Sequence, residues 1–309
     1  MGTMVGHVAP GLGFFLLGLW HLFNHIKLYS LRPKTYTSSP WFPTSKMRYI
    51  ELYFIMTGSS ISVAMELFIG PTKHQPLDTD GTIPSSHLHN FEHSLISTTF
   101  FVYATFAIIL DKMSPKAVKR DLTLLIGVIA FAQEFLLFHL HSTDHVGLEG
   151  QYHWLLQLVI FVSLATTILG LGLQKSFLVS FVRSFSILFQ GVWFIVLGFM
   201  LYTPALIPKG CYLCYEDGRL LAACHTQEAL HRAKSLVNIQ FSSYLILITM
   251  LCMLFYLVLI RVYRKRVVQY PLLTKGEEEK EEEEDSDDDV DFQKPSKLGE
   301  SKNFIFMSR

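Results

Sequence analysis

Hydrophobic positions in this chain neither alternate with polar ones at the period of a strand nor gather on a single helical stripe. They run on in long stretches, at roughly residues 8–30, 49–70, 88–110, 122–141, 152–173, 182–202 and 238–262. A helix rises about 1.5 Å per residue, so about 20 apolar residues cross the ~30 Å hydrocarbon core of a bilayer. In each stretch the apolar residues continue around the helix, as surfaces facing lipid require, and no polar helices are present to cover them in water. Small residues punctuate several stretches, among them Gly58, Ser59 and Ser62 in the second and Gly191 and Gly198 in the sixth. Such residues let helices approach closely in lipid. The pattern predicts an all-α fold: a polytopic seven-helix transmembrane bundle.

Composition sharpens this. Half of the 309 residues are hydrophobic and 17% are charged, against about 25% charged in ordinary soluble domains. The formal net charge of zero conceals two regions. Residues 1–273 carry the apolar stretches and an excess of Lys and Arg, and read as the membrane domain. Residues 274–309 hold 6 basic and 13 acidic residues and read as a disordered acidic cytosolic tail, since such a run repels itself and buries no core. No basic patch stands apart from the hydrophobic runs, which argues against nucleic-acid binding.

Lys and Arg at the helix ends set an orientation. Arg32, Lys34, Lys46 and Arg48 follow the first stretch, and Lys112, Lys116, Lys119 and Arg120 follow the third. Lys175 and Arg183 follow the fifth, and Arg261, Arg264, Lys265 and Arg266 the seventh. On the opposite side the N-terminal stub and the 142–151 loop have none, and the 71–87 loop has only Lys73. The four in the 203–237 loop are offset by Glu216, Asp217 and Glu228. This places the N-terminus exoplasmic and the C-terminus cytosolic, in the plasma membrane or an endomembrane. The first stretch lacks a charged n-region and reads as a retained signal anchor.

Cys211, Cys214 and Cys224 share one exoplasmic loop, where oxidising conditions favour one disulfide with one thiol left over. Their spacing with His225 also allows a zinc knuckle. Cys252 falls within the last stretch, as a small apolar residue. Just past the last stretch, Tyr270-Pro271-Leu272-Leu273 fits the Tyr-x-x-apolar pattern read by trafficking adaptors, and in the tail Ser286 before three aspartates suits an acid-directed kinase.

The candidate chemistry lies in ionisable residues within the apolar stretches, which are costly there and functional by default. His89 and His93 are one turn apart with Glu92 beside them; Glu134 and His141 are two turns apart on one helix face. With Glu66 and His153 they form a band from four helices near the exoplasmic side. Imidazoles and carboxylates suit zinc or a related divalent metal. The same groups could hold protons, since His titrates near neutrality. A hydrogen-bonded polar plug that fixes packing is the structural alternative. His21, Asn24 and His25 form a second polar face at the inner end of the first stretch, read as interfacial solvation, with Glu51 the one carboxylate that could join it.

At these residues the chain resembles the transmembrane protein 45 family, a domain of unknown function, and within it the epididymal branch. The matching features are Gly6-His7 with Pro10-Gly11, Glu66, Asn90 with His93-Ser94, and Glu134 with His141. His153 with Leu155-Leu156, Gln190-Gly191 with Trp193-Phe194, and Gly198-Phe199 complete the set. Ser242-Ser243 stands where that family carries a Trp-His pair. The resemblance implies a multi-pass, seven-helix membrane protein and expression tied to the epididymis; it implies no biochemical activity.

Three functions are compatible with the band. The first is a non-enzymatic bundle binding a divalent metal or protons. The second is a membrane-embedded zinc-dependent lipid hydrolase, with Glu134 or Glu92 as general base. The third is a trafficking or interaction protein whose polar band is structural. A G-protein-coupled receptor is excluded by the absence of Asp-Arg-Tyr after the third stretch and of Asn-Pro-x-x-Tyr in the seventh.

Overall fold

A computed structural model describes residues 3–71, 74–144, 147–216 and 219–284, with the side chains of 116–117, 141–144, 216, 219 and 264–284 outside that description. The chain divides into two units, Met1–Arg264 and Lys265–Arg309, and the helical bundle belongs to the first. The helices are α1 (Met4–Leu31), α2 (Ile50–Ala64), α3 (Leu88–Met113), α4 (Lys116–Asp144), α5 (Leu148–Gly172), α6 (Phe177–Tyr202) and α7 (Gln227–Glu284). All seven expected stretches are present as helices long and apolar enough to cross a membrane. Met4 and Tyr202 mark the upper end of the bundle, and Leu31 and Phe177 the lower.

α6 is the axis. Two thirds (67%) of its most apolar window is buried, against 11% for α2 and 17% for α3. The reason lies in two pairs of glycines, Gly11 and Gly18 on α1 and Gly191 and Gly198 on α6. Seven residues separate the members of each pair, two turns, so each helix presents its glycines on one face. A Cβ at Gly18 would stand 2.3 Å from the Leu188 backbone nitrogen, and one at Gly191 would stand 2.2 Å from that of Phe15. The backbones therefore touch along the whole α1–α6 seam. Gly58 behaves differently from expectation: a Cβ there meets nothing within 4 Å, so it faces open space rather than a neighbouring helix.

Aromatic and aliphatic side chains fill the remaining α6 surface. Trp193, Tyr152 and Leu197 form an upper core with Ala233 and Val237 of α7. Leu22, Phe189 and Ile248 form a lower one. The Trp193 indole N–H donates to the Tyr152 carbonyl at 3.1 Å, and the Tyr152 hydroxyl in turn donates to Gln240 at 2.9 Å, so the aromatic contacts are also polar-satisfied.

The loop after α1 is not a solvated connection. Tyr36, Ser38, Trp41 and Phe42 are buried and close the lower end of the bundle. Arg120 of α4 donates to the Ser38 carbonyl, the Ser38 hydroxyl and the Gly170 carbonyl at 2.9–3.0 Å, and Tyr103 of α3 donates to the Pro40 carbonyl at 2.9 Å. The second polar face of α1 is built into this plug rather than hydrated at the interface. His21 is 8% exposed and His25 is fully buried, with its Nδ1 hydrogen-bonded to Tyr36 Oη at 2.9 Å. Asn24 donates to the Trp20 carbonyl of its own helix. The expected interfacial solvation is lost because the loop covers the face that would otherwise meet headgroups.

A departure from the all-helical pattern is the hairpin between α6 and α7, β1 (Cys211–Glu216) and β2 (Arg219–Cys224), paired antiparallel with Cys211 opposite Cys224. Those two cysteines form the disulfide and Cys214 is free. Two of the four ligands of the zinc knuckle are thereby consumed, so that site does not form. Tyr270–Leu273 falls where side chains are not described, and Ser286 lies outside the described residues.

Candidate functional site

Glu66 continues the inward face of α2, four residues after Ser62, at the regular helical spacing that also brings Glu51, Ile55, Ser59 and Ser62 to one side. The residues Met65–Ile69 form a single π turn, closed by the Gly70 amide on the Met65 carbonyl at 2.8 Å. The turn forms the C-terminal end of the helix, directly after Ala64. The Glu66 carboxyl is buried against α3, where Asn90 donates to Oε2 at 2.9 Å and His93 Nδ1 lies 3.3 Å from Oε1. His89 stands one turn above His93 on the same helix, its ring 6.2 Å from that of His93. Glu92 is half-buried beside them.

A second upper cluster centres on His7, which the sequence offers only within the family resemblance and not as candidate chemistry. Its Nδ1 donates to the Thr3 carbonyl at 3.0 Å, and its ring stacks on Tyr202 (5.5 Å) and tilts against His153 (5.8 Å). His153 is buried between His7 and Phe138. Glu134 stands apart from both. It is 1% exposed, and its Oε1 accepts from Gln190 of α6 at 2.7 Å, while Oε2 has no partner among the described residues. The expected band is thus a carboxyl–amide–imidazole group on α2 and α3, an aromatic-histidine stack on α1, α5 and α6, and a carboxyl–amide pair between α4 and α6. The backbone of His141 lies in α4, and its side chain is outside the description. Among the described residues no three His, Cys, Asp or Glu side chains converge as a metal-ligand set.

These clusters border a cavity of about 420 Å³. Its lining runs from Val5 to His21 on α1 and from Glu66 to Glu51 on α2, and takes in the faces of α3, α4 and α6 that look inward. The span from Val5 to His21 corresponds to about 24 Å of helix, close to the height of the apolar core. His7, Glu66 and His93 sit at its top, Glu134 in its wall, and His21, Glu51 and Arg183 at its floor.

The floor is the best-organised polar site among the described residues, and little in the linear sequence announces it. Glu51 accepts from the Trp20 indole at 2.9 Å, from His21 Nε2 at 2.7 Å and from the Phe42 amide at 2.8 Å. The first two donors belong to α1 and the third to the plugging loop, so this carboxylate of α2 ties three elements together. His21 Nε2 carries the proton in this bond, and its Nδ1 is buried without a partner among the described residues. Arg183, which in the sequence counts only as an orienting charge, is 4% exposed. Its Nη2 makes one long bond, 3.4 Å, to the Ser39 carbonyl, and its Nη1 has no partner among the described residues. Tyr36 does not supply an anion: burial pushes its phenol up to about 12, against the opposing pull of Ser180, Arg183 and Arg120, so it remains neutral at physiological pH. A signal for Arg183 exists in the sequence, a guanidinium flanked by Phe181, Val182, Phe185 and Ile187, but its place near the start of the sixth stretch disguises it as a helix-end charge.

Residues 120–257 match a family of unknown function, DUF716. The match takes in most of α4, all of α5 and α6, the hairpin and much of α7. It includes Glu134, Gln190 and Arg183, and it brings no activity with it.

Proposed function

We propose that this multi-pass membrane protein is a non-enzymatic bundle that holds an exchangeable proton at its upper end, on the Glu66–His93 pair. The single observation that supports this most is the buried Glu66 carboxyl. It lies inside an apolar helix surface, within reach of one imidazole and one amide, at the mouth of a cavity. The distribution of Lys and Arg supports an exoplasmic position for that end and a cytosolic C-terminus. A divalent metal, zinc or a relative, is the alternative occupant. Glu66 and His93 offer two of its ligands, and a third would have to come from outside the described side chains, for example His141.

The lipid-hydrolase reading needs an assembled metal site near Glu134 or Glu92. Glu134 is instead bonded to Gln190, and among the described residues no three His, Cys, Asp or Glu side chains converge around it or around Glu92, so no observation favours that reading over the proton. The trafficking reading rests on Tyr270–Leu273 and Ser286 alone. Kinship with the transmembrane protein 45 family and its epididymal branch is inferred from the sequence motifs between Gly6 and Phe199; those from Glu134 onward fall inside the stretch that matches the family of unknown function.

The test uses the full chain in lipid nanodiscs. Infrared difference spectra between pH 5 and 8 should show a carboxyl protonation band that disappears in Glu66→Gln and moves in His93→Ala. A band unaffected by both substitutions sinks the proposal. Stoichiometric zinc by elemental analysis, lost in His93→Ala, would replace the proton with the metal.

A further inference from the structure

The cavity has features that proton binding at its mouth does not use. Its wall is mostly apolar, supplied by Leu17, Ile55, Phe100, Phe131, Ile187 and Phe194. Polar groups on that wall are engaged within the protein: Ser97 donates to Ser62, Thr167 donates to the Ser163 carbonyl, and one oxygen of Glu134 accepts from Gln190. Two of its lining glycines, Gly13 on α1 and Gly58 on α2, are positions where a Cβ meets nothing within 4 Å. Both keep space open where any side chain would occupy it. Val5 and Ile61, also lining residues, are exposed on the outer surface of the bundle. α1 lies along α6 and touches α2 only sparsely, so the cavity reaches the lipid-facing surface through the α1–α2 gap.

At the floor the chemistry changes. Arg183 is a buried cation with no carboxylate bonded to it among the described residues. The nearby acid, Glu51, already accepts three hydrogen bonds. Arg120 is engaged with Asp121 and the Ser38 and Gly170 carbonyls. A buried charge is normally paired, and a guanidinium is shaped for two parallel bonds to a carboxylate or phosphate. On α6 the lining continues from Arg183 through Ile187 to Phe194, 11 residues or about 16 Å above the cation.

We propose that the cavity binds a single-chain anionic amphiphile, a long-chain carboxylate or a lysophospholipid phosphate. Its head lies on Arg183 and its chain runs upward past Gly13 and Gly58, reached from the bilayer through the α1–α2 gap. The head position at Arg183 lies at the opposite end of the cavity from Glu66–His93, and the proposal stands or falls without the proton.

The experiment is photolabelling of the full chain in phosphatidylcholine nanodiscs with a diazirine-bearing palmitate, followed by peptide mapping. Label should map to cavity-lining segments of α1, α2 or α4 and be displaced by palmitate or by lysophosphatidate, but about tenfold less well by hexadecanol, which has the chain without the charge. Whichever anion displaces it better identifies the head. Gly58→Leu should abolish saturable labelling without lowering the melting temperature, because the new side chain enters open space. Arg183→Gln should weaken it about tenfold, with Arg183→Lys retaining part. Displacement by hexadecanol equal to that by palmitate, or full saturable labelling of Gly58→Leu, overturns the proposal. The glycine variant decides the matter even if Arg183→Gln does not fold.

Discussion

Glu51 shows how much one side chain can hold in an apolar setting. Three donors from two elements end on its two oxygens, and none of them makes another hydrogen bond among the described residues. Removing the acceptor strands each donor, at about 1–3 kcal/mol apiece. Glu51→Ala should therefore melt well below the wild-type protein in detergent, and Glu51→Gln should fall between, since its amide oxygen keeps part of the set. A melting temperature for Glu51→Ala equal to wild type would show that the plug does not depend on this carboxylate. In the sequence Glu51 stands only as a carboxylate able to join His21 and His25, because nothing in a linear pattern shows a loop folding back over a helix end. Glu66 and His93 are legible, since an acid or imidazole inside an apolar run is conspicuous. Their pairing sets α2 against α3, and no pattern within either stretch announces which helices become neighbours.

At the scale of elements, the seven helices are legible from hydropathy alone, since length and apolarity decide what can cross a bilayer. Which faces touch is only half legible. Gly191 and Gly198 serve close packing as expected, whereas Gly58 lines the void. Small residues look alike in sequence whether they admit a neighbour or leave a gap. The distinction makes a paired prediction. Gly18→Ala places a methyl 2.3–2.6 Å from the Leu188 backbone and Cβ, and overpacking of this kind costs about 1–3 kcal/mol. Gly13→Ala on the same helix meets nothing and removes a flexible backbone position, which should stabilise by about 0.5–1 kcal/mol. Melting temperatures of the two variants should move in opposite directions; a common sign would contradict the assignment of their faces. The β1–β2 hairpin escapes a hydropathy reading because its short segment lies between two long apolar runs and stands out only by its cysteines.

For the whole molecule, the disulfide, the free thiol and the orientation form one testable set. Cys214 is part-exposed on the hairpin, and Cys211 and Cys224 are joined. If that end faces outward, a membrane-impermeant maleimide on intact cells should modify Cys214 directly and Cys211 and Cys224 only after reduction. A C-terminal epitope should stain only after permeabilisation. Modification of Cys214 only in permeabilised cells would invert the topology, and with it the side from which the Glu66–His93 pair is reached.

Gly13 and Gly58 also turn the interior into a ruler. Because neither position is needed for helix contact, residues of graded size can be installed at each without disturbing the seam between α1 and α6. The size at which an occupant is excluded then reports its girth at that height. A library of such variants would measure an unknown guest before anyone had isolated it.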